Sequence, residues 1–311
     1  MMDSSIKTYL STQEVSELLS INEKLVYSLI SEKGLPATKI TGKWLFPRHL
    51  LDKWFNSQIP GNQRAEIEQY ADRGILIMSG SDDPLLQKTL ALFHQQQQGA
   101  IFLANQGSIG GLASLKRGLC HVASCHLLRQ ENGGYENADV ADDTHEPPPV
   151  VVNFCQREQG IVTHKGNPKN IRSITDLAGP GVRIVNRPLG SGTRLFFDYE
   201  IARSEISTNA IRGYRQETSG CMDAGIEVLS GRADAAPAVR AVADLLDLHF
   251  LPLRWERFDL LISREQFFEQ PIKGLINLLH DQVFKNLASL YSGYDLSLSG
   301  KLFPYRRQSG Q

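Results

Sequence analysis

The chain has 311 residues, 41% hydrophobic and 22% charged, with 33 Lys plus Arg against 34 Asp plus Glu for a formal net charge of −1. That length holds about two domains with real cores, and the charge balance excludes a basic nucleic-acid coat, so any DNA contact comes from a local patch. No run of 18 apolar residues spans a membrane, "MMDSSIKTYLSTQEV" lacks the apolar stretch of a secretory signal, and Cys120, Cys125, Cys155 and Cys221 are too sparse for a disulfide scaffold. A reduced, soluble, cytoplasmic protein is expected.

In "YLSTQEVSELLSI", Ser11 or Thr12 caps a helix and Glu14 sits in its first turn, where a carboxylate suits the helix dipole. Val15, Leu18 and Leu19 form its apolar stripe. In "SINEKLVYSLISEKGLP", Ser20 or Asn22 caps a second helix with Leu25, Val26, Leu29 and Ile30 inward. Gly34 stops it and Pro36 keeps it from restarting. "ATKITGKWLFPRHLLDKWF" predicts a hairpin, with strands at Lys39-Ile40 and Trp44-Leu45-Phe46 around Thr41-Gly42-Lys43. A short helix follows from Pro47, carrying Leu50, Leu51 and Trp54. Helix, turn, helix, hairpin, helix is the order of a winged helix-turn-helix.

On "STQEVSELLSI", "VYSLISEKGLPATKI" and "GKWLFPRHLLDKWF", residues 8–56 resemble the excisionase and MerR-like DNA-binding family. The resemblance implies that the second helix enters the major groove and the wing lies on the flanking backbone. The candidate contacts are Asn22, Lys24, Tyr27 and Ser28 on the helix, and Lys39, Thr41, Lys43 and Arg48 around the wing. Asn reads adenine edges, and Lys and Arg hold phosphate. One such module makes few contacts, so a homodimer is expected.

The expected division is a DNA-binding domain over 1–60, a polar linker over 61–73 that begins at the Pro60-Gly61 junction, and a ligand-binding domain over 74–311. The second domain repeats one pattern, an apolar strand running through a glycine-and-hydroxyl turn into a helix. Ile75–Met78 leads into Ser79-Gly80-Ser81-Asp82 and a helix from Pro84; Asp82 itself suits a helix cap. Ile101–Ala104 leads into Gly107-Ser108. "LCHVASCHLL" is a buried strand, "VVVNFCQREQGIVTHKGNP" gives two strands, and "VRIVN" leads through "RPLGSGTR" into "LFFDYEIARSEI". Ser219-Gly220 precedes a further helix. Free N–H groups at helix N-termini favour an anion, and α/β ligands bind at the carboxyl ends of strands.

On "SGSDDPLL", "GSIGGLASLKRG", "VASCHLL", "REQGIVTHKGNPKNI", "DLAGPGVRIVNRPLGSGTR", "GRADAA" and "LHFLPLRWERFDLLI", residues 74–305 resemble the cytoplasmic, two-lobed periplasmic-binding-protein-like α/β domain found in molybdate- and tungstate-sensing regulators and beside molybdopterin-biosynthesis domains. The resemblance implies two lobes joined by crossing strands near 150–155 and 251–262. Cys221 departs from it, standing where the family often has histidine. Ser79, Ser81, Ser108, Ser191, Thr193 and Ser219 are the hydroxyl donors expected at the ligand, with Gly80, Gly192 and Gly220 offering backbone N–H groups. Arg194 either enters the cleft or pairs with Asp198 at i+4. Arg187 belongs to the lobe surface or to a lobe-to-lobe contact.

Catalytic signatures are missing: "GSGTR" is not a nucleophile elbow, no P-loop occurs, and "CHVASCH" suits a buried strand better than a metal site. The combined reading is a one-component transcriptional regulator, not an enzyme; the alternatives are an anion-binding protein without DNA function and an enzyme acting on a molybdopterin-type precursor. It is an α/β protein with an N-terminal winged helix-turn-helix and a two-lobed binding domain, with DNA and a small oxyanion as partners. Molybdate or tungstate is favoured, and sulfate, phosphate or a small organic anion fit the same residues. No cofactor and no membrane partner are expected.

Overall fold

The computed structural model describes residues 7–40, 42–58, 70–71, 74–96, 99–126 and 148–303. The chain forms two units, 1–66 and 67–311. Of the stretch expected as linker, 61–69 and 72–73 lie outside the described residues.

The first unit runs β1 (Tyr9–Ser11), α1 (Thr12–Leu19), α2 (Glu23–Lys33), β2 (Thr38–Ile40), β3 (Lys43–Pro47) and α3 (Arg48–Gln58), with the strands ordered β1-β3-β2. Ser11 starts α1 through a reciprocal capping box with Glu14, and Asn22 starts α2 by accepting the Leu25 N–H at 2.9 Å. Gly34 ends α2 in the left-handed conformation at φ 66°, where a side chain is strained. Val15, Val26, Leu35, Phe46 and Leu51 form the core, with Trp44 and Trp54 packed against it.

Two expectations fail here. Leu18 and Leu25 are 48% and 49% exposed: α1 faces the core with Val15 and Leu19, one full turn apart, and α2 with Val26, Leu29 and Ile30, which rotates Leu18 and Leu25 off those stripes. Tyr9–Ser11 is a strand paired with Leu45–Pro47, not a lead-in to the helix. Three residues are too few for alternation to show.

In the second unit, β4 (Leu76–Gly80) leads to α4 (Pro84–Gln96), β5 (Ile101–Asn105) to α5 (Gly107–Lys116), and β6 (Val122–Cys125) follows. Then come β7 (Val150–Thr163), α6 (Gly192–Arg203), α7 (Cys221–Leu229), β8 (Ala235–Val239), α8 (Arg240–Leu245), β9 (His249–Ile262), α9 (Gln270–His280), α10 (Gln282–Ala288), β10 (Tyr294–Asp295) and β11 (Leu302–Phe303). The sheet order is β10-β7-β9-β6-β4-β5, with β8 and β11 also on β7. Strands β4, β5 and β6 are parallel; β9 is antiparallel to both β6 and β7.

β7 and β9 are the crossing strands. Each has 14 residues, and together they run through both lobes. Val150–Asn153 pairs with Asp259–Ile262 beside β6, and Gln159–Thr163 pairs with β8 at the far end. "VVVNFCQREQGIVT" is therefore one strand rather than two: its run is apolar at both ends because each end is buried in a different lobe. The first lobe packs Leu76, Met78, Leu85, Phe154, Phe258 and Phe284; the second packs Val162, Val228 and Val242 on one side and Ile161, Ile184 and Phe197 on the other. "VRIVN" makes only isolated bridges, Ile184 to Ala235 and Asn186 to Glu217.

The strand pair shifts register between Gln159 and Gly160. A Cβ on Gly160 would stand 2.2 Å from the Leu251 carbonyl oxygen and 2.6 Å from the Phe250 ring. Gly160→Ala is expected to destabilise the second unit by about 1–3 kcal/mol through overpacking, read as a lowered midpoint in urea with an unchanged m-value.

Candidate functional site

The carboxyl ends of β4, β5 and β6 face the turns before α6 and α7. In the first lobe Ser81 and Ser108 share a hydrogen bond at 2.8 Å, and the Ser108 hydroxyl also meets the His126 N–H at 3.1 Å and its carbonyl at 3.2 Å. These hydroxyls tie three turns together. Gly80 ends β4 against Ser124. Ser79 is buried, and its hydroxyl has no hydrogen-bond partner among the described residues.

In the second lobe Ser191 caps α6, accepting the Arg194 N–H at 3.3 Å and donating to the Pro188 carbonyl at 2.9 Å. Gly192 backs onto the other lobe, where a Cβ would lie 2.1 Å from the His126 carbonyl oxygen. The Thr193 hydroxyl accepts from Gln159 Nε2 at 3.2 Å. Ser219 is exposed and donates to Asp223 at 2.7 Å, which also takes the Gly220 N–H at 2.9 Å. Ser219 and Gly220 thus spend their donors on starting α7.

Arg194 takes the pairing alternative. Its Nε bonds both oxygens of Asp198, at 2.9 and 3.0 Å, and its Nη1 bonds Glu217 at 3.1 Å and the Arg187 carbonyl at 3.0 Å. Its guanidinium lies 4.5 Å from the Tyr214 ring centroid. Two carboxylates and a ring hold it within its own lobe, which removes it from the expected ligand set.

Arg187 makes the lobe-to-lobe contact that was one of its two expected places. Buried at the end of the "VRIVN" segment, it reaches the opposite lobe, where Nη2 meets Asp82 Oδ1 at 2.8 Å. Among the described residues, its Nε and Nη1 have no hydrogen-bond partner. Asp82 Oδ2 accepts the Cys221 N–H at 2.7 Å, at the first residue of α7. Asp82 is therefore not the cap of α4; Asp83 is, accepting the Leu86 N–H at 3.0 Å. Burial opposes ionisation of Asp82, but Arg187 and the Cys221 N–H outweigh it and lower its pKa. The sequence signal for this pair was present in two adjacent acids before Pro84 and two arginines around one loop; which of each pair faces the cleft depends on the fold.

Beneath them lies a buried network on the crossing strands. Arg157 bonds Glu256 through Nε at 2.8 Å and Asp83 through Nη1 at 2.7 Å. Gln159 Nε2 bonds the same Glu256 oxygen at 2.7 Å, and His126 Nδ1 stands 3.0 Å from it. Burial pushes Glu256 up, yet His126, Arg157 and the Gln159 donor bring its pKa down to about 2. Burial lowers the His126 pKa below its ordinary value despite Glu256, whose carboxylate accepts from Nδ1–H. Of the "CHVASCH" residues, Cys120 and Cys125 lie in an apolar cluster, and the His121 Nδ1 accepts the Ile77 N–H at 2.8 Å.

On the first unit, Lys24, Tyr27 and Ser28 share one face of α2 at i, i+3 and i+4 spacing. Lys24 and Tyr27 are exposed and Ser28 half-buried. Lys39 and Lys43 are exposed on the hairpin, with Lys39 Nζ 5.6 Å from the Trp44 ring centroid, and Arg48 is half-buried at the start of α3. Asn22 is committed through its carbonyl oxygen to capping, leaving only its amide NH2 for a partner. Thr41 lies outside the described residues.

The chain carries a small helical module with a hairpin wing and a separate two-lobed domain with a buried arginine between its lobes. The PBP superfamily domain matches residues 90–280, and a helix-turn-helix domain matches residues 9–59. The chain belongs to the PBP superfamily, with a helix-turn-helix domain at its N-terminal side. It is 28% identical over 300 residues to the uncharacterized protein YvgK of Bacillus subtilis, covering 93% of this chain and 96% of that one. It is 28% identical over 109 residues to an uncharacterized protein in a ferredoxin 2Fe-2S gene 5′ region of Clostridium pasteurianum, covering 35% of this chain and 96% of that one. Among solved structures, it is similar to a phosphate-bound substrate-binding protein of Clostridium perfringens (TM-score 0.53, 14% identity, 75% of this chain and 100% of that one). A tungstate transporter structure from Geobacter sulfurreducens also matches (TM-score 0.52, 16% identity, 70% and 98%). At these identities the likeness is one of fold. Among the described residues, no helix is long and apolar enough to cross a membrane.

The buried network sets the acid response. His126 has a lowered pKa in the fold, so its contribution is present above its ordinary 6.5 and is lost as pH falls below it. Glu256 contributes fully above its ordinary 4.5 and loses that contribution between 4.5 and about 2. Thermal melts from pH 8 to pH 3 are expected to be level at the alkaline end and to fall on acidification, with Glu256→Gln removing part of the loss below pH 4.5. Arg157→Leu strands Asp83 and Glu256 as unpaired buried charges and is expected to cost about 3–5 kcal/mol, read by denaturant unfolding.

Proposed function

We propose that this chain is a one-component transcriptional regulator: residues 1–60 bind operator DNA, and a small oxyanion in the cleft of residues 74–311 controls that binding. The observation that carries the ligand reading is Arg187, a buried guanidinium crossing between lobes with two nitrogens lacking any protein acceptor. An anion supplies those acceptors, and bidentate geometry suits an oxyanion. Ser79, with its unpartnered hydroxyl, and the N-termini of α6 and α7 belong to the same reading. Molybdate and tungstate are the oxyanions favoured by the sequence resemblance; sulfate and phosphate meet the same donors.

The DNA reading rests on the exposed face of α2 and the basic hairpin of a helix-turn-helix unit. A homodimer supplies the second half-site, since one module of this size makes few contacts. The chain works in the cytoplasm, where operator DNA is. It is read as binding rather than catalysing: the Ser81 and Ser108 hydroxyls bond each other, and His126 is paired with Glu256.

Two experiments test this reading. In a thermal-shift screen of the full-length chain against molybdate, tungstate, sulfate and phosphate, at least one oxyanion is expected to raise the melting temperature. Arg187→Ala is expected to abolish that rise and Arg194→Ala to leave its size intact on a less stable fold; a rise that survives Arg187→Ala moves the ligand elsewhere. For DNA, Lys43→Ala and Arg48→Ala are each expected to lower affinity for all sequences alike and to reduce the salt slope by about one. Unchanged slopes take those two residues off the phosphate backbone.

A further inference from the structure

One edge of the large sheet is left open. β5 ends the strand order, with β4 on one side and, among the described residues, no strand on the other. The Leu76 N–H donates to the Ala100 carbonyl at 2.9 Å and the Gln106 N–H to the Gly80 carbonyl at 3.0 Å. A strand turns alternate residues to its neighbour, so the main chain at 100, 102, 104 and 106 serves β4. The N–H and C=O groups of Ile101, Leu103 and Asn105 point outward from the sheet.

Such edges are ordinarily blunted by charge, proline or a bulge. From Thr89 to Leu115 the sequence has no Asp, Glu, Lys, Arg or Pro, and β5 pairs with β4 without a register shift. α5 packs against β4 and β6 and leaves Phe102 58% exposed. Ala104, on the same face of the strand, is exposed too.

This edge matches itself. When two β5 strands run antiparallel across a twofold axis at Leu103, Leu103 meets its own counterpart, Ile101 meets Asn105, and Phe102 meets Ala104. Every outward N–H and C=O of both strands then has a partner. Phe102 falls opposite Ala104 at the closer, non-hydrogen-bonded position, a large side chain over a small one. With no charge on either strand, two copies meet without repulsion, and a charged partner finds nothing to pair with.

We propose that β5 pairs antiparallel with β5 of a second copy of this chain, joining two ligand-binding units through one continuous sheet. This rests on the homodimer reading and gives that dimer its interface. Twofold pairing uses up the open edge of both copies, so the assembly closes at two. A ladder of five residues buries less than a standard interface, and the dimer dissociates on dilution.

The test uses the full-length chain. Light scattering over a dilution series is expected to show a monomer–dimer equilibrium. Leu103→Cys sets two thiols at a hydrogen-bonded pair with Cα atoms about 5.5 Å apart, within disulfide reach. The four native cysteines are buried. Under a mild oxidant Leu103→Cys is expected to form a covalent dimer, while Leu290→Cys, at a position 76% exposed, stays uncoupled. Phe102→Lys, a charge at an already exposed position, is expected to raise the dimer Kd at least about tenfold with the melting temperature of the dilute monomer unchanged. A dimer that Leu103→Cys does not link, or that Phe102→Lys does not weaken, overturns the β5 pairing and leaves the homodimer reading standing. A monomer throughout the series overturns both.

Discussion

A guanidinium shut away from solvent at the crossing of two long strands organises the ligand-binding unit. Arg157 lies on β7, its partner Glu256 on β9 and its other partner Asp83 at the start of α4. Its ring neighbour Phe258 stands 4.0 Å from the guanidinium carbon. A buried charge of this kind is tolerated only when its donors are matched by fixed acceptors, so the network pins the strand crossing to the first lobe. Gln159 carries the same network to Thr193 in the second lobe. The floor of the cleft is thereby linked to the second lobe through the Gln159–Thr193 hydrogen bond as well as through the crossing strands.

Above that floor the lobes meet through contacts of another kind. Asp82 bridges to Arg187 and to α7, the Ile109 N–H donates to the Gly190 carbonyl at 3.2 Å, and Asn105 Nδ2 donates to the Ser219 carbonyl at 3.3 Å. These lie at turns rather than in cores, the arrangement in which a hinge closes or opens without repacking either lobe. In the proposed reading, an anion that supplies acceptors to Arg187 stabilises the closed arrangement by its differential affinity for it. In the proposed regulator, the same differential appears as a change in DNA affinity, and DNA must change anion affinity by the same factor.

Much of this was legible in the sequence because it rests on local rules. Ser11, Asn22 and Gly34 bound the first two helices, and the glycine-and-hydroxyl turns mark where strands pass into helices. What was not legible depends on facing. Leu18 and Leu25 look as apolar as Val15 and Val26, and only the packing of short helices selects between them. Arg187 and Arg194 flank one loop; α6 turns Arg194 toward Asp198 and Tyr214, while the residue before the turn is free to cross the cleft. Asp82 and Asp83 are adjacent acids before one proline, and only the closure of the second lobe separates a cap from a cleft carboxylate. The single strand Val150–Thr163 was hidden for the same reason, since its two ends are buried in different lobes.

The most direct measurement is of the coupling between the two units. The full-length chain is used to select a site from a randomised DNA duplex pool, and affinity for that site is then measured by fluorescence anisotropy with and without the oxyanion that raises its melting temperature. Ionic strength is held constant, and an oxyanion that gives no shift serves as control. The account requires an enriched sequence whose affinity changes at least about fivefold with the bound oxyanion, the lower end of ordinary allosteric coupling, and not at all with the control or in Arg187→Ala. An oxyanion that binds the cleft while the DNA affinity stays the same contradicts it.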